Sequence, residues 1–170
     1  NEEGATLLAT TNQMDFMKTP GDWLKAKSGS DFIPFISGKD LVDVTFTGGG
    51  VIDGNGAVWW GEAEKARQKK SGYTRPRPNL IVLNRATHLR MENITLQNSP
   101  KFHFVPTECE DVVISNVTVL APERAANTDA VDPSNCKNVL ITKCLIDVGD
   151  DNVAIKAGKP VAGREFACED

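Results

Sequence analysis

Three stretches of this chain repeat one template. Leu89–Leu96, Val112–Val119 and Val139–Ile146 start 23 and 27 residues apart, and each carries apolar side chains at its first, third, sixth and eighth positions. Apolar residues therefore alternate on either side of a polar break at Asn93, Asn116 or Lys143. Alternation of period two turns one face of an extended strand toward a core, so each unit reads as two short strands meeting at a bend. A second repeated signal precedes the units, as Cys109-Glu110-Asp111, Cys136-Lys137-Asn138 and, at the end of the chain, Cys168-Glu169-Asp170, where a further coil begins. Leucine-rich, ankyrin and helical repeats have periods of similar length, but they need helices. From Thr74 to Asp170 no long stripe of helical period occurs, and the units are rich in Val, Ile, Thr and Asn with Gly or Pro between them, which favours strands. Such coils, stacked on one another, bury a column of aliphatic side chains, so the expected fold is all-β, a parallel β-helix or solenoid. An aromatic content of 6 % suits a thin aliphatic core.

The pattern continues upstream. Leu41–Phe46 alternates, and Gly48-Gly49-Gly50 breaks it before Val51-Ile52-Asp53-Gly54-Asn55-Gly56, a strand entering a glycine turn. Residues 57 to 75, with Trp59, Trp60 and the charged run Glu62 to Lys70, have helical character and interrupt the period as a loop or short helix excursion. Arg75-Pro76-Arg77-Pro78 stiffens the return into a strand at Leu80–Leu83, and Thr6–Thr10 reads as a strand followed by polar loop through Asp15 to Gly29. Residues 1 to 170 are thus expected to form part of one β-helical domain, incomplete at both ends.

Composition removes several function classes. The 19 Lys and Arg against 23 Asp and Glu give a net charge of −4 without a basic cluster, so a nucleic-acid surface is not expected. No apolar run approaches the roughly 18 residues of a membrane helix, and Asn1–Ala5 lack the features of a signal peptide. The four Cys contain no CxxC pair, which argues against a zinc site or a disulfide scaffold. Cys109, Cys136 and Cys168 are expected to stack on successive coils, within reach of one disulfide but better read as a buried thiol ladder, and Cys144 takes an apolar template position.

Two segments break the repeat with carboxylates, Asn127-Thr128-Asp129-Ala130-Val131-Asp132 and Gly149-Asp150-Asp151-Asn152. Asp129 and Asp151 are 22 residues apart, about one coil, and adjacent rungs of a sheet are separated by about 4.8 Å. Asp129, Asp150 and Asp151 are therefore expected to converge on one exposed face. Crowded carboxylates raise one another's proton affinity, so that one holds a proton while others stay ionised. Glycoside hydrolysis needs that combination, a carboxylic acid for the leaving oxygen and a carboxylate for the attacking water. Asp-rich turns that cap strands or bind Ca²⁺ have the same spacing, and spacing alone leaves both readings open.

Asn127-Thr128-Asp129 followed by Asp150-Asp151 resembles the polygalacturonase family, glycoside hydrolase family 28, and Val51–Gly56 with Trp59-Trp60 is similar to an early coil of that family. The resemblance implies a right-handed single-stranded parallel β-helix. It implies inverting hydrolysis of α-1,4 galacturonosidic bonds in polygalacturonate or pectin, with no cofactor or metal, by a monomer that is secreted or periplasmic. Carried over by position, Asp150 is the proton donor, Asp129 and Asp151 hold and deprotonate the water, and Lys156 and Asn127 bind substrate. The family's Gly-His-Gly and Arg-x-Lys motifs do not occur before Asp170, so an internal fragment with little or no activity of its own is expected.

His103, one coil before Asp129, is expected to touch substrate, with a satisfied structural histidine as the alternative. Trp59 and Trp60 either stack on sugar rings or pack the excursion. Asn93-Ile94-Thr95 and Asn116-Val117-Thr118 match the glycosylation sequon, but their place at the bends favours an Asn ladder. Cations near the carboxylates are few, namely Lys156, Lys159, Arg124 and His103. A rhamnogalacturonan hydrolase, a Ca²⁺-dependent pectate lyase and a non-catalytic carbohydrate-binding solenoid fit the same scaffold. The two Asp motifs match the hydrolase pattern better than the lyase.

Overall fold

The computed structural model describes residues 2–69 and 74–157. Its strands stack in parallel on three faces, and the repeat offsets become strand register: Leu89 pairs with Val112, and Val112 with Val139. One sheet stacks β1 (Thr6–Leu8), β3 (Val51–Asp53), β5 (Thr95–Gln97), β8 (Thr118–Leu120) and β10 (Leu145–Asp147) in that order. A second stacks β2 (Ile36–Phe46), β4 (Ile81–Glu92), β7 (Glu110–Ser115) and β9 (Lys137–Thr142). The leading half of β4 pairs instead with β6 (Phe104–Thr107), and bridges Phe104–Val131, Val131–Val153 and Ser134–Lys156 extend this third face. The parallel β-helix expected from the repeat is thus the observed architecture.

The bends follow from backbone chemistry. Asn93, Asn116 and Lys143, the polar breaks of the template, all have φ of 54°. That left-handed conformation costs most L-residues about 1–2 kcal/mol and is tolerated best by Gly and Asn. Two further columns, Asp40/Arg85/Glu108/Asn135 and Asp43/His88/Asp111/Asn138, lie between 51° and 56° and turn the other corner. Asn116 Nδ2 donates to Asn93 Oδ1 at 2.7 Å, the expected Asn ladder. Inside, Leu89, Met91, Ile94 and Leu96 stack under Val112, Ile114, Val117 and Val119, all at most 4 % exposed. Cys109 and Cys136 are buried free thiols in this column, whereas Cys168 lies outside the described residues. No helix among the described residues is long and apolar enough to cross a membrane.

The excursion is helix α1 (Ala57–Lys69). Trp59 is fully buried in it, edge-on to Phe16, Trp23 and Phe32 at 5.7, 5.0 and 5.8 Å between ring centroids. The segment read as polar loop supplies these rings from short 3-10 turns capped by Asn12, Asp22 and Ser28. Its apolar residues are too widely spaced to show a period, yet they form a second small core. Trp59 therefore packs rather than meets solvent.

Leu96→Ala should lower stability by about 2–5 kcal/mol, because the filled column cannot collapse around the cavity. Asn116→Ala should cost about 1–2 kcal/mol through the left-handed bend and the lost ladder bond. Urea denaturation of both variants measures the order of the two effects.

Candidate active site

Where the β5/β8/β10 face turns into the β6 face, successive coils carry loops instead of a tight bend. Residues 98–103, 121–130 and 148–152 occupy this corner one above another. Gly149 permits the close stacking, since a Cβ there would stand 2.5 Å from the Ala125 carbonyl oxygen and 2.6 Å from that of Pro122. Its N–H donates to Thr128 Oγ1 at 3.0 Å, and that hydroxyl donates to the Ala125 carbonyl at 2.7 Å.

Asp150 is exposed and held by three donors. Its Oδ2 accepts from the Asn127 N–H at 3.1 Å and from Asn127 Nδ2 at 3.2 Å, and its Oδ1 accepts from the Asp151 N–H at 3.1 Å. Asn127 is itself left-handed, with φ of 54°, and its Oδ1 accepts from Arg77 Nη2 at 3.1 Å. Arg77 is 1 % exposed and also donates to the Ala126 carbonyl at 3.1 Å. Burial lowers its pKa to about 10, while Asp129 pulls the other way.

Asp129 is buried beside Asp132, which has no exposed surface. Burial raises the Asp129 pKa to about 6, the Asp132 charge adds to this, Lys156 opposes it and Asp150 contributes a smaller raise. Burial also raises Asp132, against the ion pair with Lys156 and a hydrogen bond with Asp129. Both carboxyls thus hold a proton more tightly than a free aspartate, Asp129 up to about pH 6, with Lys156 opposing the shift at each. Lys156 Nζ donates to Asp132 Oδ2, lies 3.7 Å from Asp129 Oδ2 and stands 4.0 Å from the Phe102 ring centroid. The exposed Asp151 sits one rung from Asp129, and its carbonyl accepts from the Ala130 N–H at 3.0 Å.

The structure therefore brings Asp129, Asp150, Asp151, Asn127 and Lys156 to one corner, but Asp129 is buried there and not on the exposed face expected for it, because Asp132 and Lys156 pack around it. His103 is a correction. Its ring is fully buried, with Nδ1 donating to the Asp129 carbonyl at 3.1 Å and Nε2 accepting from the Ser99 N–H at 3.3 Å, so it has no surface for a substrate. Burial lowers its pKa and keeps the ring neutral. It staples the 98–103 loop to the Asp129 backbone. Trp60 supports the same loop, donating from Nε1 to the Ser99 carbonyl at 3.1 Å.

Asp132, Arg77 and Lys101 belong to the site but were not singled out from the sequence. The signal for Arg77 was its offset: it lies four residues before Ile81 as Asn127 lies four before Val131, and Ile81 and Val131 both pair with Phe104. Lys159 lies outside the described residues, and Arg124 is exposed. Among the described residues, no three His, Cys, Asp or Glu side chains are grouped so as to hold a metal ion.

The parallel solenoid with a carboxylate cluster at one corner has counterparts among known proteins. The family model "Glycosyl hydrolases family 28" matches residues 6–170, and the chain belongs to that family. It is 40 % identical over 128 residues to a probable polygalacturonase of Vitis vinifera, covering 75 % of this chain and 25 % of that protein. It is 35 % identical over 167 residues to an endo-polygalacturonase of Pectobacterium parmentieri, covering 93 % of this chain and 41 % of the relative. The solved polygalacturonase from Erwinia carotovora ssp. carotovora superposes with a TM-score of 0.84 at 35 % identity, over 95 % of this chain and 44 % of that one. The chain thus spans less than half the length of these relatives.

The proton on Asp129 links stability to pH. A carboxyl in the unfolded chain titrates near 3.9, whereas Asp129 titrates near about 6 when folded. The folded state binds the extra proton in that window, so this group's contribution is full below about pH 4 and is lost as pH rises through about 6. Asp129→Asn should remove most of this slope, worth on the order of 2 kcal/mol. Urea denaturation of both proteins at pH 4.5 and 7 reads the difference.

Proposed function

We propose that the protein hydrolyses α-1,4 galacturonosidic bonds in polygalacturonate or pectin by an inverting acid/base route. The observation that carries this reading is the placement of three aspartates on adjacent coils at one corner, Asp129 buried there and Asp150 and Asp151 exposed, with Asp150 held by Asn127. Asp150, exposed and oriented by the Asn127 and Asp151 donors, gives its proton to the leaving oxygen. Asp129, with Asp151, takes a proton from the water whose oxygen attacks the anomeric carbon as the glycosidic bond breaks. A base of pKa about 6 suits a mildly acidic to neutral medium, where it is ionised yet still basic enough to accept. The Asp132 charge, beside its Lys156 partner, adds to that basicity. Asn127 and Lys156 border the substrate cleft. The names of the relatives support the substrate class. Work on a pectic polymer places the complete protein outside the cytoplasm, secreted or periplasmic, and the reading takes it to act as a monomer.

Asp150→Asn should lower kcat by about 10²–10⁴-fold while oligogalacturonate binding is retained. The wild-type rate should fall on the acid side of about pH 6 as Asp129 is protonated. Reducing-end release from polygalacturonate measures both effects. A product absorbing in the near ultraviolet would indicate elimination in place of hydrolysis and would overturn the mechanism.

A further inference from the structure

The carboxylate corner carries a second ammonium, Lys101, which feels Asp129 and Asp132, while the close pairing is made by Lys156. Lys101 lies in the 98–103 loop, on the coil before Asp129, and its N–H donates to Ser99 Oγ at 3.3 Å. Ser99 in turn donates from Oγ to the Phe102 carbonyl at 2.8 Å, and His103 and Trp60 hold the loop to the Asp129 backbone and to α1. The backbone that carries Lys101 is therefore fixed before any ligand arrives. Its ammonium stands 4.0 Å from the Phe102 ring centroid, the same distance as Lys156 Nζ. The two ammoniums are thus no more than twice that distance apart. Lys156 is engaged with Asp132 and lies near Asp129. No carboxylate among the described residues lies within ion-pair distance of Lys101 Nζ.

Arg77, Lys101 and Lys156 stand around Asp129 and Asp132. Burial, then Arg77 and Lys156, lower the proton affinity of Lys101, while Asp129 and Asp132 oppose the shift. A half-buried ammonium of this kind is best satisfied by an anion delivered from outside.

We propose that Lys101 binds the carboxylate of a uronic-acid unit next to the scissile bond and so makes the site selective for de-esterified polymer. The inference rests on the pectin-hydrolase reading above and adds the residue that reads the substrate's charge. Lys101 is a specificity residue here, and the acid/base chemistry does not pass through it.

The test compares the wild-type protein with Lys101→Met and Lys101→Arg, using trigalacturonate and its methyl ester as calorimetric ligands. Lys101→Met should weaken trigalacturonate binding by roughly tenfold or more, as expected for a hydrogen bond to a charged group. Methyl-ester binding should be unchanged, Lys101→Arg should retain most of the acid affinity, and added salt should reduce the wild-type preference for the acid. Equal weakening for both ligands, or no change for either, overturns the role of Lys101 and leaves the hydrolase reading standing. Wild-type protein that binds neither ligand overturns both. Matching thermal unfolding of the variants excludes loss of fold as the source of the difference.

Discussion

Everything in this structure depends on in-register parallel stacking. Each rung must set an aliphatic residue on the aliphatic residue below it, as Leu89 meets Val112 and Val112 meets Val139. A slip of one residue would turn the core set to solvent and the polar set inward. Extra residues can therefore enter only at corners, where the backbone already leaves the sheet. At one corner the coils keep tight left-handed turns at Asn93, Asn116 and Lys143. At another they open into loops, and the side chains of the candidate site are there. The same constraint that builds the core thus decides where chemistry can be placed.

Stacking also explains the electrostatics. Side chains at one corner of adjacent coils come together without long-range folding, so Asp129 and Asp132 face Lys156 from the next rung and Lys101 from the preceding one. Burying Asp132 completely is tolerable because an ammonium pairs with it. Burial, and then the Asp132 charge, raise the proton affinity of the neighbouring Asp129. Asp150 stays outside this pair, fixed by the Arg77–Asn127 relay. Similar carboxyls on consecutive coils thus stand in two environments, Asp129 buried and Asp150 exposed.

The helix excursion is part of the same construction. Trp59 anchors α1 against rings from the N-terminal segment, and the adjacent Trp60 reaches the Ser99 carbonyl. Two consecutive tryptophans thus join the second small core to the loop that carries Lys101, Phe102 and His103. The fully buried His103 completes the connection by bonding that loop to the Asp129 backbone. Rigid positioning from behind leaves the exposed side of the corner open to a polymer.

The strand pairs, the Asn bends and the approach of Asp150 and Asp151 to Asp129 were legible in the sequence, because the offsets of 23 and 27 residues between units fix which residues pair and the alternation fixes which face inward. The family resemblance was legible in Asn127-Thr128-Asp129 and Asp150-Asp151. Less visible were the aromatic cluster of Phe16, Trp23, Phe32 and Trp59, whose members come from segments without a common period, and the burial of His103, which depends on how a loop closes. The raised proton affinity of Asp129 and Asp132, the pairing of Lys156 and the approach of Arg77 to Asn127 were likewise decided only in three dimensions. Periodicity determines register along the solenoid, because each rung inherits its partners from the one before. The direction a loop side chain takes, and therefore its charge state, is set by desolvation and by neighbours that no local pattern encodes.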